Sequence, residues 1–151
     1  MILRATHEEA GCFSYPRQTH GAAPRTGIDP IVTAAQIVLA LQTVVSRRVD
    51  VTAEPAVVTV GTFQSGTRHN IIPDDATLTG TIRTFDPATT ARVQQQIRDI
   101  ATPVAAAAGA TADVRIDEGA AVTFNDARLA AQMRTTLERV FGATNVLESR
   151  G

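Results

Sequence analysis

Few side chains of this sequence could take part in catalysis. The 151 residues include three histidines, one cysteine and 15 acidic residues, and His7, His20 and His69 lie far apart along the chain. No His-x-Asp motif, Ser-His-Asp spacing or glycine-rich phosphate loop is present. His7-Glu8-Glu9 brings titratable groups together, but charged residues of this kind are most often solvated. The sequence therefore offers no convincing metal centre or activated nucleophile.

Three polar residues have side chains that suit either a ligand or a purely structural role. His20 lies in a Thr-His-Gly-Ala turn, where a histidine is most often only a loop residue. Asn70 lies in a polar loop, and its side-chain amide can donate and accept hydrogen bonds. Arg83 carries a planar fork of donors that suits a carboxylate, but residue types alone favour a sheet-face ion pair with a nearby Asp such as Asp86. Residue types alone do not establish a ligand-binding role for any of the three.

Asn70 and Arg83 belong to a segment, residues 55–86, that predicts two strands joined by a long polar loop. The second run alternates small or apolar residues with threonines and ends in Arg83, so one face is apolar and the other polar. The first run places two side chains, Val58 and Val60, on one face and three on the other, Val57, Thr59 and Phe63. Such a sheet is covered on one side only.

A helix is predicted before this hairpin. Asp29 is a good N-cap, and Pro30 suits the first helical position. Apolar residues then recur at spacings of three and four from Ile31 to Val45. The stripe is broader than one sheet face needs, so either part of it meets another subunit or the helix is deeply buried.

A second helix is predicted from about Pro87 to Ala108, with Asp86 as its N-cap. Pro103 predicts a kink or an early stop before Gly109. Strict alternation from Ala112 to Glu118 then indicates an edge strand.

A first strand at Gly11–Pro16 is implied by the family resemblance described below, and its proline makes a short or bulged strand the natural outcome. With it, the order of elements is βαββαβ, which predicts an α+β, ferredoxin-like sandwich: a four-stranded antiparallel sheet with two helices on one face. An extra C-terminal helix is predicted after Asn125 or Asp126, with an apolar stripe formed by Leu129, Met133, Leu137 and Val140.

Composition excludes several classes of function. A formal net charge of -1, with arginines scattered along the chain, gives no basic patch for nucleic acid. Cys12 is the single cysteine, so no disulfide within the chain can form. The longest apolar stretch, Ala34–Leu41, is too short to span a bilayer, and Met1–Ala10 lacks the apolar core of a signal peptide. We expect no membrane partner and a cytoplasmic location for the chain as written, although a parent enzyme could be exported.

Four motifs follow one another along the chain: Arg17–Pro24, Gly27–Gln36, Asn70–Pro73 and Gly80–Asp86. In this order they resemble the lid or dimerisation domain of the M20 metallopeptidases, specifically the amidohydrolases that cleave N-acyl amino acids. The resemblance covers residues 17–147 and omits the family's metal-binding catalytic domain. It divides the chain into a degenerate N-terminal segment (1–16), the lid (17–122) and a C-terminal helix left from the catalytic domain (123–151).

The resemblance implies roles for individual residues. In the family, the histidine matching His20 reaches from the lid of one subunit into the active site of the other, where it hydrogen-bonds the scissile carbonyl and its oxyanion. Asn70 and Arg83 match the other lid positions that contact substrate. Gly66 and Thr67 match the turn of the loop, although Ser65 replaces a more usual glycine.

The resemblance also implies the cofactors and partners. Full-length members hold two divalent metals, zinc or similar, whose ligands lie outside the lid, so this chain is expected to be inactive alone. A homodimer is expected through edge strand 56–63 and helix 30–46, with N-acyl amino acids as substrates of the full-length enzyme. The alternative is a stand-alone ferredoxin-like module for homodimerisation or ligand binding.

Overall fold

A four-stranded antiparallel sheet in the order β3-β5-β1-β6 is the centre of the fold. The computed structural model describes residues 1–6, 18–117, 119 and 124–147. The chain divides into two compact units, Met1–Gly119 and Ala120–Gly151. The elements of the first are β1 Ile2–Thr6, β2 Thr19–His20, α1 Pro30–Arg48, β3 Ala56–Ser65, β4 Ile71–Ile72, β5 Asp75–Thr84, α2 Pro87–Ala107 and β6 Thr111–Arg115.

The helices α1 and α2 pack on one face of this sheet, as the α+β prediction requires. Leu78 of β5 is fully buried beneath them, whereas Thr81 and Arg83 of the same strand are exposed. The largest fully buried side chains of the core are Leu3, Ile37, Leu41, Leu78, Ile97, Val44 and Val93. The opposite face of the sheet, called the open face below, carries the alternate residues of β3 and β5.

The first strand of the described sheet lies at Ile2–Thr6. It occupies the sheet interior, where Leu3 pairs with Leu78 of β5 on one side and with Val114 of β6 on the other. Ile2–Thr6 is therefore part of the fold and not of a degenerate segment. The predictions for His7-Glu8-Glu9 and for Gly11–Pro16 concern residues outside the described part of the chain.

A β-bulge in β3 changes which side chains share a face. The register with β5 shifts between Val60 and Thr62, so Gly61 is the extra residue. Phe63 consequently pairs with Leu78 and lies on the helix side. The prediction that Phe63 shares a face with Val57 is wrong, because a bulge reverses the alternation that follows it.

The two helices begin as predicted. Asp29 accepts hydrogen bonds from the backbone N–H groups of Ile31 and Val32, at 2.9 and 3.2 Å. The carboxylate of Asp86 accepts one from the N–H of Thr89 at 2.7 Å. These caps supply partners for amides that have none within the helix.

The helix α2 ends one residue before the predicted Ala108, and the early stop that was one of the two expected effects of Pro103 does not occur. The helix continues through Pro103 to Ala107 before Gly109 turns the chain with a φ of +76°. A proline near the last turn removes one hydrogen bond without ending the helix. The edge strand β6 is also shorter than predicted and ends at Arg115.

By length and composition alone, α1 is apolar enough to cross a membrane. Its residues Ala34, Ile37, Leu41 and Val44 nevertheless lie in the core of the first unit. A core helix of a globular domain has the same composition, so α1 gives weak support for a membrane span.

The second unit contains the predicted C-terminal helix, α3 Ala127–Phe141, followed by a 3-10 turn at Ala143–Asn145. Asp126 caps it by accepting a hydrogen bond from the N–H of Leu129 at 2.8 Å. Its apolar stripe is exposed, with Leu129 56% and Val140 64% accessible.

Candidate functional site

A two-stranded ribbon brings His20 and Asn70 together. The strands β2 and β4 are two residues long, and His20 pairs with Ile71 across them. Directly beyond this pair, the backbone N–H of Gly21 donates to the carbonyl oxygen of Asn70 at 2.7 Å. The ribbon therefore joins two segments that are 50 residues apart in sequence.

Small residues allow this close approach. A Cβ atom at Gly21 would lie 3.1 Å from the carbonyl oxygen of Asn70, tighter than most real contacts. Gly27 is a second such glycine: a Cβ atom there would lie 2.2 Å from the hydroxyl oxygen of Thr19, the residue before His20. Thr19, which is buried, can thus pack against the turn that leads into α1.

The His20 imidazole has one ring nitrogen committed within its own turn. The backbone N–H of Ala22 donates to Nδ1 at 3.1 Å. Because Nδ1 accepts this bond, the proton of the neutral ring belongs on Nε2, an assignment inferred from the hydrogen bond. The exposed His20 side chain can therefore present an Nε2–H donor to a ligand.

The loop between β3 and β5 has a fixed base. The hydroxyl of Ser65, which replaces a more usual glycine, donates to the carbonyl oxygen of Asp75 at 2.6 Å. Gly66 then adopts a φ of +68°, a conformation that favours glycine. A Cβ atom there would lie 3.9 Å from Cδ1 of Ile31, so the loop runs beside the first turn of α1. Thr67 follows and is exposed.

Arg83 is not brought to this ribbon. The loop that contains Asn70 precedes β5 at Asp75, whereas Arg83 lies eight residues further along the strand, near its other end. At about 3.3 Å per residue this is about 26 Å along β5. A single chain therefore presents His20 and Asn70 at one end of the hairpin and Arg83 at the other.

Arg83 lies on the open face, and its guanidinium binds no carboxylate of the described residues. Its Nη1 donates to the carbonyl oxygen of Ile82 at 3.3 Å, and within the described part of the chain it forms no ion pair. The alternative partner, Asp86, serves as the cap of α2, and hydrogen bonds from the backbone and side chain of Thr89 hold the pKa of Asp86 below its ordinary value. Arg83 is thus available to a ligand.

Among the described residues, no group of three or more His, Cys, Asp or Glu side chains could hold a metal ion. Sequence reasoning named His20, Asn70 and Arg83, but it did not identify the backbone hydrogen bonds donated by Gly21 and Ala22. The only signal for them was the run of small residues after the histidine, which permits a close backbone approach without specifying its partner.

Known proteins resemble this chain over the part that contains His20, Asn70 and Arg83. The family described as a peptidase dimerisation domain of the M20 group matches residues 13–109. The chain is 36% identical over 115 residues to N-acetyl-L-cysteine deacetylase of Bacillus subtilis, covering 76% of this chain and 27% of that protein. It is 42% identical over 100 residues to N-acyl-L-amino acid amidohydrolase of Geobacillus stearothermophilus, covering 66% and 27%.

Solved structures agree with the fold. A proposed aminohydrolase from methicillin-resistant Staphylococcus aureus matches 93% of this chain and 33% of its own, with 27% identity and a TM-score of 0.74. A dinuclear metal-binding M20 peptidase from Bacillus subtilis matches 74% of this chain and 23% of its own, with 29% identity and a TM-score of 0.52. The chain spans about a quarter of the length of the two curated relatives named above. It belongs to the M20 peptidase dimerisation-domain family.

Proposed function

We propose that this chain is the lid and dimerisation part of an M20-type amidohydrolase that cleaves the amide bond of N-acyl amino acids. The names of two relatives, a deacetylase of N-acetyl-L-cysteine and an N-acyl-L-amino acid amidohydrolase, support this substrate class. The chain contributes binding and transition-state groups and does not catalyse alone.

One observation carries the proposal: His20 presents an Nε2–H donor beside Asn70 on a short hydrogen-bonded ribbon. Amide hydrolysis develops negative charge on the carbonyl oxygen, and a donor already oriented toward that oxygen stabilises the transition state more than the ground state. His20 supplies that donor, and the Asn70 amide adds a further hydrogen bond to the substrate.

Arg83 binds the substrate carboxylate, and it belongs to the subunit that does not supply His20 to the same active site. Because it lies about 26 Å along β5 from the start of that strand, one chain cannot place Arg83 and His20 on the same small molecule. In a two-fold dimer, the His20 end of one subunit faces the Arg83 end of its partner. Each active site then takes His20 and Asn70 from one subunit and Arg83 from the other.

The dimer forms through edge strand 56–63 and helix 30–46. Among the described residues, β3 is the terminal strand of the sheet, so no strand pairs with its outer edge. On α1, Val32 and Leu39 are 53% and 71% exposed. Exposed apolar side chains and an unpaired strand edge are features that a second copy would bury.

The two divalent metals of the parent enzyme lie outside the described residues, which do not fit a metal site. When bound in a catalytic domain, such metals activate the attacking water. The residues of this chain act at the other side of the substrate, where they bind its carboxylate and the developing oxyanion.

A chimera tests this function. Met1–Asp117 replaces the lid of the Geobacillus N-acyl-L-amino acid amidohydrolase, and hydrolysis of N-acetyl amino acids is measured with zinc. We expect turnover by the chimera, and a fall in kcat of about 100-fold or more in His20→Ala, the usual effect of losing one oxyanion donor. The 151-residue chain alone should show none, and turnover that His20→Ala abolishes would contradict our claim that it is inactive alone.

A stand-alone homodimerisation module is the second candidate, favoured by the exposed side chains of α1. Sedimentation distinguishes dimer from monomer. A purely monomeric chain at high micromolar concentration would contradict both the module and the divided active site.

A further inference from the structure

Arg83 has an apolar neighbour on the open face that the proposed function leaves unused. In the register of β3 with β5, Val57 pairs directly with Arg83. Directly opposed residues lie on one face of a sheet, with Cβ atoms about 5 Å apart. Val57 is 52% exposed, so its isopropyl group is open to solvent at the position opposite Arg83.

This pair differs from the others on the same face. Between β3 and β5, the remaining open-face pairs are Thr59–Thr81, Thr62–Thr79 and Gln64–Thr77, all polar. Apolar contact and positive charge therefore coincide at one place along the hairpin. The ordinary pattern for an exposed face of an antiparallel sheet is polar residues, and a valine next to an uncommitted arginine departs from it.

We propose that Val57 determines specificity, by contacting the side chain of a substrate whose carboxylate binds Arg83. The inference rests on the proposed function and adds the substrate class: N-acyl derivatives of amino acids with apolar, branched side chains. In an amino acid the side chain and the carboxylate leave the same carbon atom. A carboxylate held on Arg83 thus places its side chain within a few ångströms, the reach of the opposed valine.

The chemistry of Arg83 allows this arrangement. Its Nη1 makes one long contact with the Ile82 carbonyl oxygen, at 3.3 Å, and a guanidinium carries five N–H donors. Enough donors remain for a bidentate carboxylate. A glycine derivative would gain only this charge interaction, whereas a leucine derivative would also bury apolar surface against Val57.

The test is an NMR titration of the 151-residue chain with three ligands: N-acetyl-L-leucine, N-acetylglycine and the neutral N-acetyl-L-leucinamide. Amide and guanidinium signals of Arg83 report binding. We expect the leucine acid to bind about fivefold more tightly than the glycine acid, the gain from burying about 40 Å² of apolar surface. The neutral amide should leave the Arg83 signals unchanged.

Two matched variants assign the preference. Val57→Thr keeps a β-branched residue in the strand and should reduce the preference for leucine to less than twofold. Val51→Thr is the control, because Val51 is also 52% exposed but lies outside the sheet, in the turn after α1. It should retain the fivefold preference.

The outcomes separate the two claims. Equal affinity of the wild-type chain for both acids, or an unchanged preference in Val57→Thr, would overturn the role of Val57 and leave the function of Arg83 intact. If neither acid shifts the NMR signals of Arg83 in the wild-type chain, the proposed carboxylate site itself is contradicted. Arg83→Met, which should abolish binding of both acids, checks that the signals arise there.

Discussion

Gly21→Ala should loosen the connection between His20 and Asn70 without unfolding the domain. The new Cβ atom would lie 3.1 Å from the carbonyl oxygen of Asn70 and 3.3 Å from its carbon, so the two segments must separate by a few tenths of an ångström. That separation weakens the 2.7 Å hydrogen bond from the N–H of residue 21.

Two effects of similar size oppose each other in the stability of this variant. Weakening one hydrogen bond costs about 1 kcal/mol. Replacing glycine by alanine restricts the unfolded chain and so stabilises the folded protein by about 0.4 to 1 kcal/mol. Since the φ of Gly21 is not positive, alanine adds no backbone strain there. The free energy of unfolding should therefore change by less than about 1 kcal/mol.

The local effect should be larger than the global one, and amide hydrogen exchange measures it. We expect protection of the amide at residue 21 to fall about tenfold, equivalent to about 1.4 kcal/mol of local stability. The signals of Asn70 should shift with it, while those of the core strands stay unchanged. Urea unfolding gives the global value in parallel. Unchanged protection at residue 21, with unchanged Asn70 signals, would refute the idea that this contact holds the two residues together.

Three further predictions concern stability. Gly66→Ala should lower the free energy of unfolding by about 1 kcal/mol in urea titrations, because Gly66 has a φ of +68°; an unchanged midpoint would count against a fixed loop. Gln96→Leu should raise that free energy by about 1 kcal/mol, since the buried Oε1 atom of Gln96 has no partner among the described residues; thermal melts that show a loss would reject this. The pKa of Asp86 is lowered from 3.8 by its Thr89 hydrogen bonds, so its stabilising effect is full above the unfolded pKa and is lost as pH falls through the lower folded pKa. In Asp86→Asn, the melting temperature should therefore fall less steeply as the pH is lowered from about 5 to about 2. An unchanged dependence on pH would argue against the cap.

Local patterns in the sequence predicted much of the fold. Asp29 and Asp86 start helices where short polar side chains precede prolines, and the alternation in β5 separates Leu78 from Arg83 correctly. These features depend on neighbours a few residues away, which the sequence shows directly.

Features that depend on distant partners could not be predicted in this way. The strand Ile2–Thr6 is five residues long, too short for periodicity to identify, and its place is set by pairing with β5 and β6. The bulge at Gly61 appears only when β3 is aligned with β5. The contact between Gly21 and Asn70 likewise joins two turns without periodic patterns.

Gly61 has a consequence for how copies of this protein associate. A strand with one surplus residue twists locally and leaves its backbone groups out of step with a straight partner. An incoming strand can match it on either side of that step but not across the whole length. The terminal strand is therefore poorly suited to endless edge-to-edge polymerisation.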